Sequence, residues 1–249
     1  MTEGNEGFGW RAVYRNTKKL PVKGRYMEFD RRVLDAFSGI CVAEGTITGV
    51  HIKIEDQRLQ ALKVEVAKEI QSRYSLESVR NEPVFRAYRD FFWSVGVDPT
   101  KTRPASEALV RRILSGGVLP LINTAVDSYN LASAVSGIPI AAFDRDMVKG
   151  DLFMRFADEG EEFIGIGMKK PVILSKNQVI LLDSEQIVAI YPYRDSDSTK
   201  VRPDTKTLHI VTCGVPKIER EVVLKAYETC AGFLREHAGG LPSMPVISP

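Results

Sequence analysis

LPLINTAVDSYNLASAVSGIPIAAFDRDMVKGDLFMRFADEG, Leu119 to Gly160, is the stretch that decides the fold. Within it Leu121 to Ser136 has the length and apolar content of a buried helix, yet Asn123, Asp127 and Asn130 recur at i, i+4 and i+7 and share one face. A polar stripe on a buried helix must meet polar partners. Gly137 supplies a left-handed stop, Ile138 to Phe143 reads as a short buried strand, and Asp144 begins a turn that ends at Gly150. A second strand, Leu152 to Ala157, follows.

The segments before this unit are predominantly helical. Leu59, Leu62, Val66 and Ile70 predict an amphipathic helix over Gln57 to Tyr74. Pro83 opens another, whose stripe of Val84, Tyr88, Phe91, Phe92 and Val95 ends at Gly96 and reads as core. Asp98 to Leu114 is a turn and a helix in which Lys101, Arg103, Arg111 and Arg112 outnumber Glu107. With helix-start amides nearby, those four cations are the expected anion or phosphate contact, and the alternative is a solvated face whose arginines pair with neighbouring acids. Val33 to Val50 reads as two short strands broken by glycines, and residues 1–32 read as a basic N-terminal arm.

Downstream, Phe163 to Ile166, Val172 to Leu174, Gln178 to Asp183 and Gln186 to Ile190 read as short strands of a meander or small barrel-like sheet. Tyr191 to Thr205 is a polar loop that gathers Arg194, Asp195 and Ser198; Thr207 to Cys213 is a buried strand and Glu219 to His237 a long helix. Pro242, Pro245 and Pro249 argue against regular structure in the last residues, which read as an extended tail over 239–249. The organisation expected is thus one globular domain over residues 33–238 between an arm and a tail.

The chain of 249 residues, 44% hydrophobic, is long enough for a sizeable core. Its 34 Lys plus Arg against 32 Asp plus Glu leave a net charge of +2, which does not suit a dedicated nonspecific nucleic-acid binder. Cys41, Cys213 and Cys230 are odd in number, widely spaced and set in apolar surroundings, the pattern of reduced thiols and a cytoplasmic setting. No signal-peptide core or membrane-length apolar run is present. His51, His209 and His237 lie far apart without ligands at metal spacing, so no metal and no cofactor are expected. G-x-G-x-x-G, Walker and G-x-S-x-G patterns are absent, and GIGMKK (Gly165 to Lys170) lacks the helix that a phosphate loop needs, so it reads as a strand and turn.

What remains is a constellation: Asn123, Asp127 and Asn130 on the helix, Asp144 in the turn, Glu161 after Gly160, and Arg194 with Asp195 in the later loop. Each can satisfy loop or strand backbone groups, and as a set they read as a substrate pocket. The segment NTAVDSYNLASAVSGIPIAAFDRDMVKGDLFMRFADEGEEF resembles the hallmark of the tRNA-binding and editing domain of the phenylalanyl-tRNA synthetase beta subunit, formed by its fused third and fourth B domains. Asn123, Val126, Asp127, Asn130, Pro139, Phe143, Asp144, Gly150, Arg155, Gly160 and Glu161 match that pattern. Arg194 to Thr205 resembles its serine-and-threonine loop, and the similarity runs from about Val33 to His237.

The resemblance implies an α+β fold, a three-layer β/β/α sandwich. It also implies, for the synthetase domain, hydrolysis of tyrosine wrongly esterified to the phenylalanine tRNA. Where the bacterial domain has a histidine before A-F-D this chain has Ala141, and the glutamate that reads the tyrosine hydroxyl falls near Thr212. The expected function is that of a free-standing, tRNA- or RNA-interacting module, with aminoacyl-tRNA ester hydrolysis in trans as its enzymatic form; a complete synthetase is not expected. The alternative is a small-molecule binding protein sensing an amino acid or nucleotide.

Overall fold

In the computed structural model, which describes residues 27–249, the central helix starts at Thr124 because the Asn123 carboxamide caps it, accepting the Ala125 and Val126 amides at 3.1 and 2.9 Å. It ends at Ser136 because Gly137 turns left-handed at φ 73°. In chain order the described elements are β1 (Glu28–Phe29), α1 (Arg31–Ala36), β2 (Cys41–Thr48), α2 (Gln57–Arg73), α3 (Pro83–Ser94), α4 (Ala105–Leu114) and α5 (Thr124–Ser136). There follow β3 (Ile140–Asp144), β4 (Phe153–Phe156), β5 (Glu162–Phe163), β6 (Val172–Ile173), β7 (Val179–Leu182), β8 (Ile187–Ile190), β9 (Arg194–Asp195) and β10 (Thr207–Gly214). The chain closes with α6 (Arg220–Ala238), β11 (Leu241–Pro242) and β12 (Val246–Ser248).

Strand alternation assigns the layers. In one sheet β10 lies antiparallel between β2 and β3, with Val211 opposite both Glu44 and Ala141. Cys41, Ala43, Ile47, Leu208, Ile210, Ile140 and Ala142 face a core made with Leu59, Val66 and Ile70 of α2, Leu131 of α5 and Tyr227, Cys230 and Leu234 of α6. The alternate residues Val42, Ala141, Phe143, Val211 and Cys213 face the other way, onto Met154, Val179, Leu181 and Val188 of the second sheet, ordered β1-β4-β7-β8-β9. Helices, sheet and second sheet form a three-layer β/β/α sandwich. Tyr88, Phe91 and Phe92 of α3 join the inter-sheet core, and each such fully buried large side chain contributes about 1.5–3 kcal/mol.

Two expectations change at the ends of the domain. Val33 to Val50 holds one strand and not two: Asp30 caps α1 by accepting the Arg32 amide at 2.7 Å, and the first half of the segment becomes helix. The proline-rich C-terminal segment is regular at the edge of the sheet, where β11 and β12 pair antiparallel with β2 and Ser243 exchanges hydrogen bonds with the Thr46 backbone at 2.8 and 3.0 Å. An edge tolerates proline because one side of its ladder is unused. Most of the basic arm expected over residues 1–32 lies outside the described residues. Its last part is ordered, with β1 parallel to β4 and Met27 N donating to Glu44 Oε1 at 2.7 Å.

Candidate functional site: a cavity between the central helix and the second sheet

Where α5 hands over to β3, the two sheets part and leave a cavity of about 160 Å³. Tyr129 and Asn130 line it from α5, Pro139 to Ala141 from β3, Ala105 from the start of α4, and Cys213 from β10. The second sheet contributes Leu181, Ala189 to Tyr193 and Asp195. The position follows from the fold: Gly137 ends the helix about two turns past Asn130, and the β3 strand it feeds runs beside β9, which carries Asp195.

The cavity is mostly apolar with a few convergent polar groups, the usual make-up of a small-ligand site. The Asn130 carboxamide makes no hydrogen bond to a described side chain or backbone group, and the Tyr129 hydroxyl makes none either. Burial pushes the Asp195 carboxyl up to about 7, against the Ala142 amide and the Arg194 charge, which both favour its ionised form. Burial likewise raises the Tyr129 phenol, and raises the Cys213 thiol well above its usual range, so both stay neutral. Tyr193 is held by Gln178, whose Nε2 donates to its hydroxyl at 2.9 Å.

Strand parity decides which residue of β10 faces the cavity. Thr212, the position expected to correspond to the tyrosine-reading glutamate, turns into the helical layer, where its hydroxyl is shared between the carbonyls of Ala43 at 2.9 Å and Val223 at 3.2 Å. Cys213 lines the cavity instead, on the face of the sheet that Ala141 also occupies.

Of the residues expected to form a pocket, the cavity takes Asn130 and Asp195, with Arg194 exposed beside it. The others are engaged elsewhere. Asn123 is the helix cap. Asp127 is buried against α2, accepting from Lys63 Nζ at 2.8 Å and from the Ile122 amide at 3.0 Å. Asp144 accepts from Thr205 Oγ1 at 2.6 Å and the Asp146 amide at 3.1 Å, bracing the turn after β3. Glu161 pairs with Arg155 at 2.7 Å and accepts the Asp158 amide at 2.7 Å.

The four cations expected at phosphate divide in the same way. Arg111 donates to Leu76 O at 3.1 Å and stands 3.8 Å from Glu107, while Arg112 donates to Val118 O at 2.6 Å. Lys101 is 4.0 Å from Asp98 and exposed, and Arg103 is exposed two residues before Ala105 of the cavity wall. Arg194 stands on the other side, its side chain lying over Gly165, where an added Cβ would come within 2.6 Å of Arg194 Cδ. The Gly165 to Lys170 turn is fastened to β9 by the Ile166 amide, which donates to Asp195 O at 3.0 Å.

A second concavity, about 280 Å³, lies between α2, α5 and α6; of its charged lining Glu69 and Arg73 pair at 2.7 Å, and Lys225 is exposed. Among the described residues no group of His, Cys, Asp or Glu is arranged to hold a metal ion. No described helix is long and apolar enough to cross a membrane. The three cysteines are free and buried.

Residues 87–239 match the family model of the B3/4 domain. Curated relatives include phenylalanine–tRNA ligase beta subunits from Malacoplasma penetrans, 22% identical over 62% of this chain and 17% of that protein, and from Mycobacterium leprae, 29% identical over 54% and 19%. The subunit of Protochlamydia amoebophila is 30% identical over 57% of this chain and 15% of its own length. The matches therefore span less than a fifth of those relatives. Among solved structures, an N-terminal fragment of the phenylalanyl-tRNA synthetase beta subunit from Pyrococcus horikoshii superposes with a TM-score of 0.51 at 16% identity, covering 96% of this chain and 59% of the fragment.

Proposed function

The chain belongs to the B3/4 domain family, and from that premise we propose that it is a cytoplasmic, tRNA-interacting module whose cavity receives the aminoacyl end of a charged tRNA and favours hydrolysis of its ester. The observation that carries this reading is the placing of the unpartnered Asn130 carboxamide and the Asp195 carboxyl in one apolar cavity. The half-buried Asn130 carboxamide leaves its hydrogen-bonding capacity to a ligand, and the Asp195 carboxyl keeps acceptor sites beyond the one that takes the Ala142 amide. The cavity is of the right size, because engineered apolar voids of about 150 Å³ accept a benzene ring, and 160 Å³ therefore suits a medium-sized amino-acid side chain.

The flanking charge supports the same reading. Arg103 and Lys101 lie on the α4 side and Arg194 on the β9 side, all exposed. The ribose-phosphate end of a tRNA entering between them gains salt-sensitive contacts while its amino acid enters the cavity. In this account the domain acts on an ester already formed on the tRNA.

Two measurements test this. Binding of a tRNA mixture should weaken steeply as salt rises, and the half-life of the ester on a tRNA panel should shorten when the protein is added. Salt-independent binding and unchanged half-lives would sink the proposal. A small-ligand sensor is the second reading, favoured by the exposed acidic side chains of Asp158 and Glu159 in the turn before β5 and of Glu162 at its start. It predicts that free amino acids or nucleotides raise the melting temperature as much as an aminoacyl-tRNA does.

A further inference from the structure

Resting on the reading of the cavity as an aminoacyl-ester site, we propose that Asp195 is the general base of the hydrolytic step. Asp195 lines the cavity beside Tyr129, Asn130, Ala141 and Cys213, and its carboxyl accepts the Ala142 amide. Two attachments fix the strand beneath it: its carbonyl accepts the Ile166 amide at 3.0 Å, and the Ser196 amide donates to Val188 O at 2.8 Å. It makes no ion pair with any described residue, and Arg194, its charged chain neighbour, is turned outward over Gly165.

The remaining ionisable groups of the cavity are unsuited to the task. Tyr129, Tyr191, Tyr193 and Cys213 are all held in their neutral forms by burial. Asp195, at about 7, is the lining group that exchanges a proton near neutrality, and a base is most effective when its proton affinity matches the working pH. Ala141, whose side chain is a methyl group, lines the same cavity, and the proposal seats the attacking water between carboxylate and ester.

The step balances without any further reagent. Asp195 takes a proton from that water as the water oxygen bonds to the ester carbonyl carbon, and the carbonyl electron pair moves onto its oxygen, towards which the Asn130 amide can donate. As the pair returns, the bond to the ribose oxygen breaks, and the protonated Asp195 returns its proton to that oxygen. The products are a free amino acid and the tRNA terminal hydroxyl.

The test is single-turnover hydrolysis, from pH 5.5 to 8.5, of a tRNA panel esterified with tyrosine, phenylalanine, leucine or alanine, with the protein-free rate subtracted. Wild type should show a rate that rises with pH and levels off above about 7. Asp195→Asn should lose about 100-fold or more of that rate, together with its pH dependence, and should bind deacylated tRNA within twofold of wild type. Asp195→Glu should recover part of the rate with a shifted midpoint. If Asp195→Asn hydrolyses at the wild-type rate with the same pH limb, the assignment to Asp195 is overturned while the cavity reading stands. Absence of hydrolysis by the wild type on every member of the panel overturns both.

Discussion

Lys63 Nζ and Asp127 Oδ2 stand 2.8 Å apart, with side chains only 7% and 1% exposed, and tie α2 to α5. Lys63 also donates to Pro120 O at 2.7 Å, so the pair fixes the loop that enters the central helix. Removing one partner leaves the other charge buried and uncompensated. Asp127→Ala is expected to cost about 3–5 kcal/mol, read as a fall in the urea midpoint. A Lys63/Asp127 double variant should lose less than the sum of the single losses.

Asn123 and Asn130 are chemically identical, stand on the same helix, and should answer differently to alanine. Asn123→Ala removes the cap and should cost about 1 kcal/mol of stability with ligand affinity unchanged. Asn130→Ala breaks no hydrogen bond to a described residue, so stability should hold within about 0.5 kcal/mol, while affinity for a cavity ligand falls roughly 5- to 100-fold. Denaturation curves and binding isotherms on both variants check the contrast.

Asp195 makes stability depend on pH in a direction opposite to that of a salt-bridged carboxylate. Its native value near 7 lies above the ordinary 3.8, so between these values the folded chain keeps a proton that the unfolded chain releases. The stabilisation is full below about 4 and is lost as pH rises through about 7. Asp195→Asn removes this loss. It should leave stability nearly unchanged at pH 4 and raise it by up to about 4 kcal/mol at pH 8, visible as a melting-temperature gain confined to the higher pH.

The exposed and the engaged arginines should separate in a salt titration. Replacing Arg103 and Arg194 together with alanine should lower the slope of log affinity against log salt by about 1.4, or 0.7 for each phosphate contact with a single strand. Arg112→Ala removes a donor to the Val118 carbonyl and should affect stability more than that slope. An equal loss of slope from both variants would contradict the division.

Much of the fold is legible in the chain because its signals are local. Gly137 stops α5, the run from Ile138 to Phe143 makes β3, and the apolar spacing from Leu59 to Ile70 makes α2. The ends are less legible. Whether Pro242 can sit in a strand depends on the free edge of β2, some two hundred residues away in sequence. The site divides in the same way. Helical periodicity puts Asn123, Asp127 and Asn130 on one face, but the Lys63 partner that takes Asp127 out of the cavity's reach comes from another helix. Cys213 could not be chosen over Thr212 without the register of β10, because a shift of one residue exchanges the faces of a strand.

The most direct measurement is the affinity of the protein for one tRNA in its aminoacylated and deacylated forms, made with wild type and with Asn130→Ala at fixed salt. Occupation of the cavity by the amino acid predicts that the aminoacylated form binds at least about 5-fold more tightly to wild type, by about 1 kcal/mol or more, and that Asn130→Ala erases the difference while keeping the affinity for deacylated tRNA. Equal binding of the two forms by wild type would contradict it.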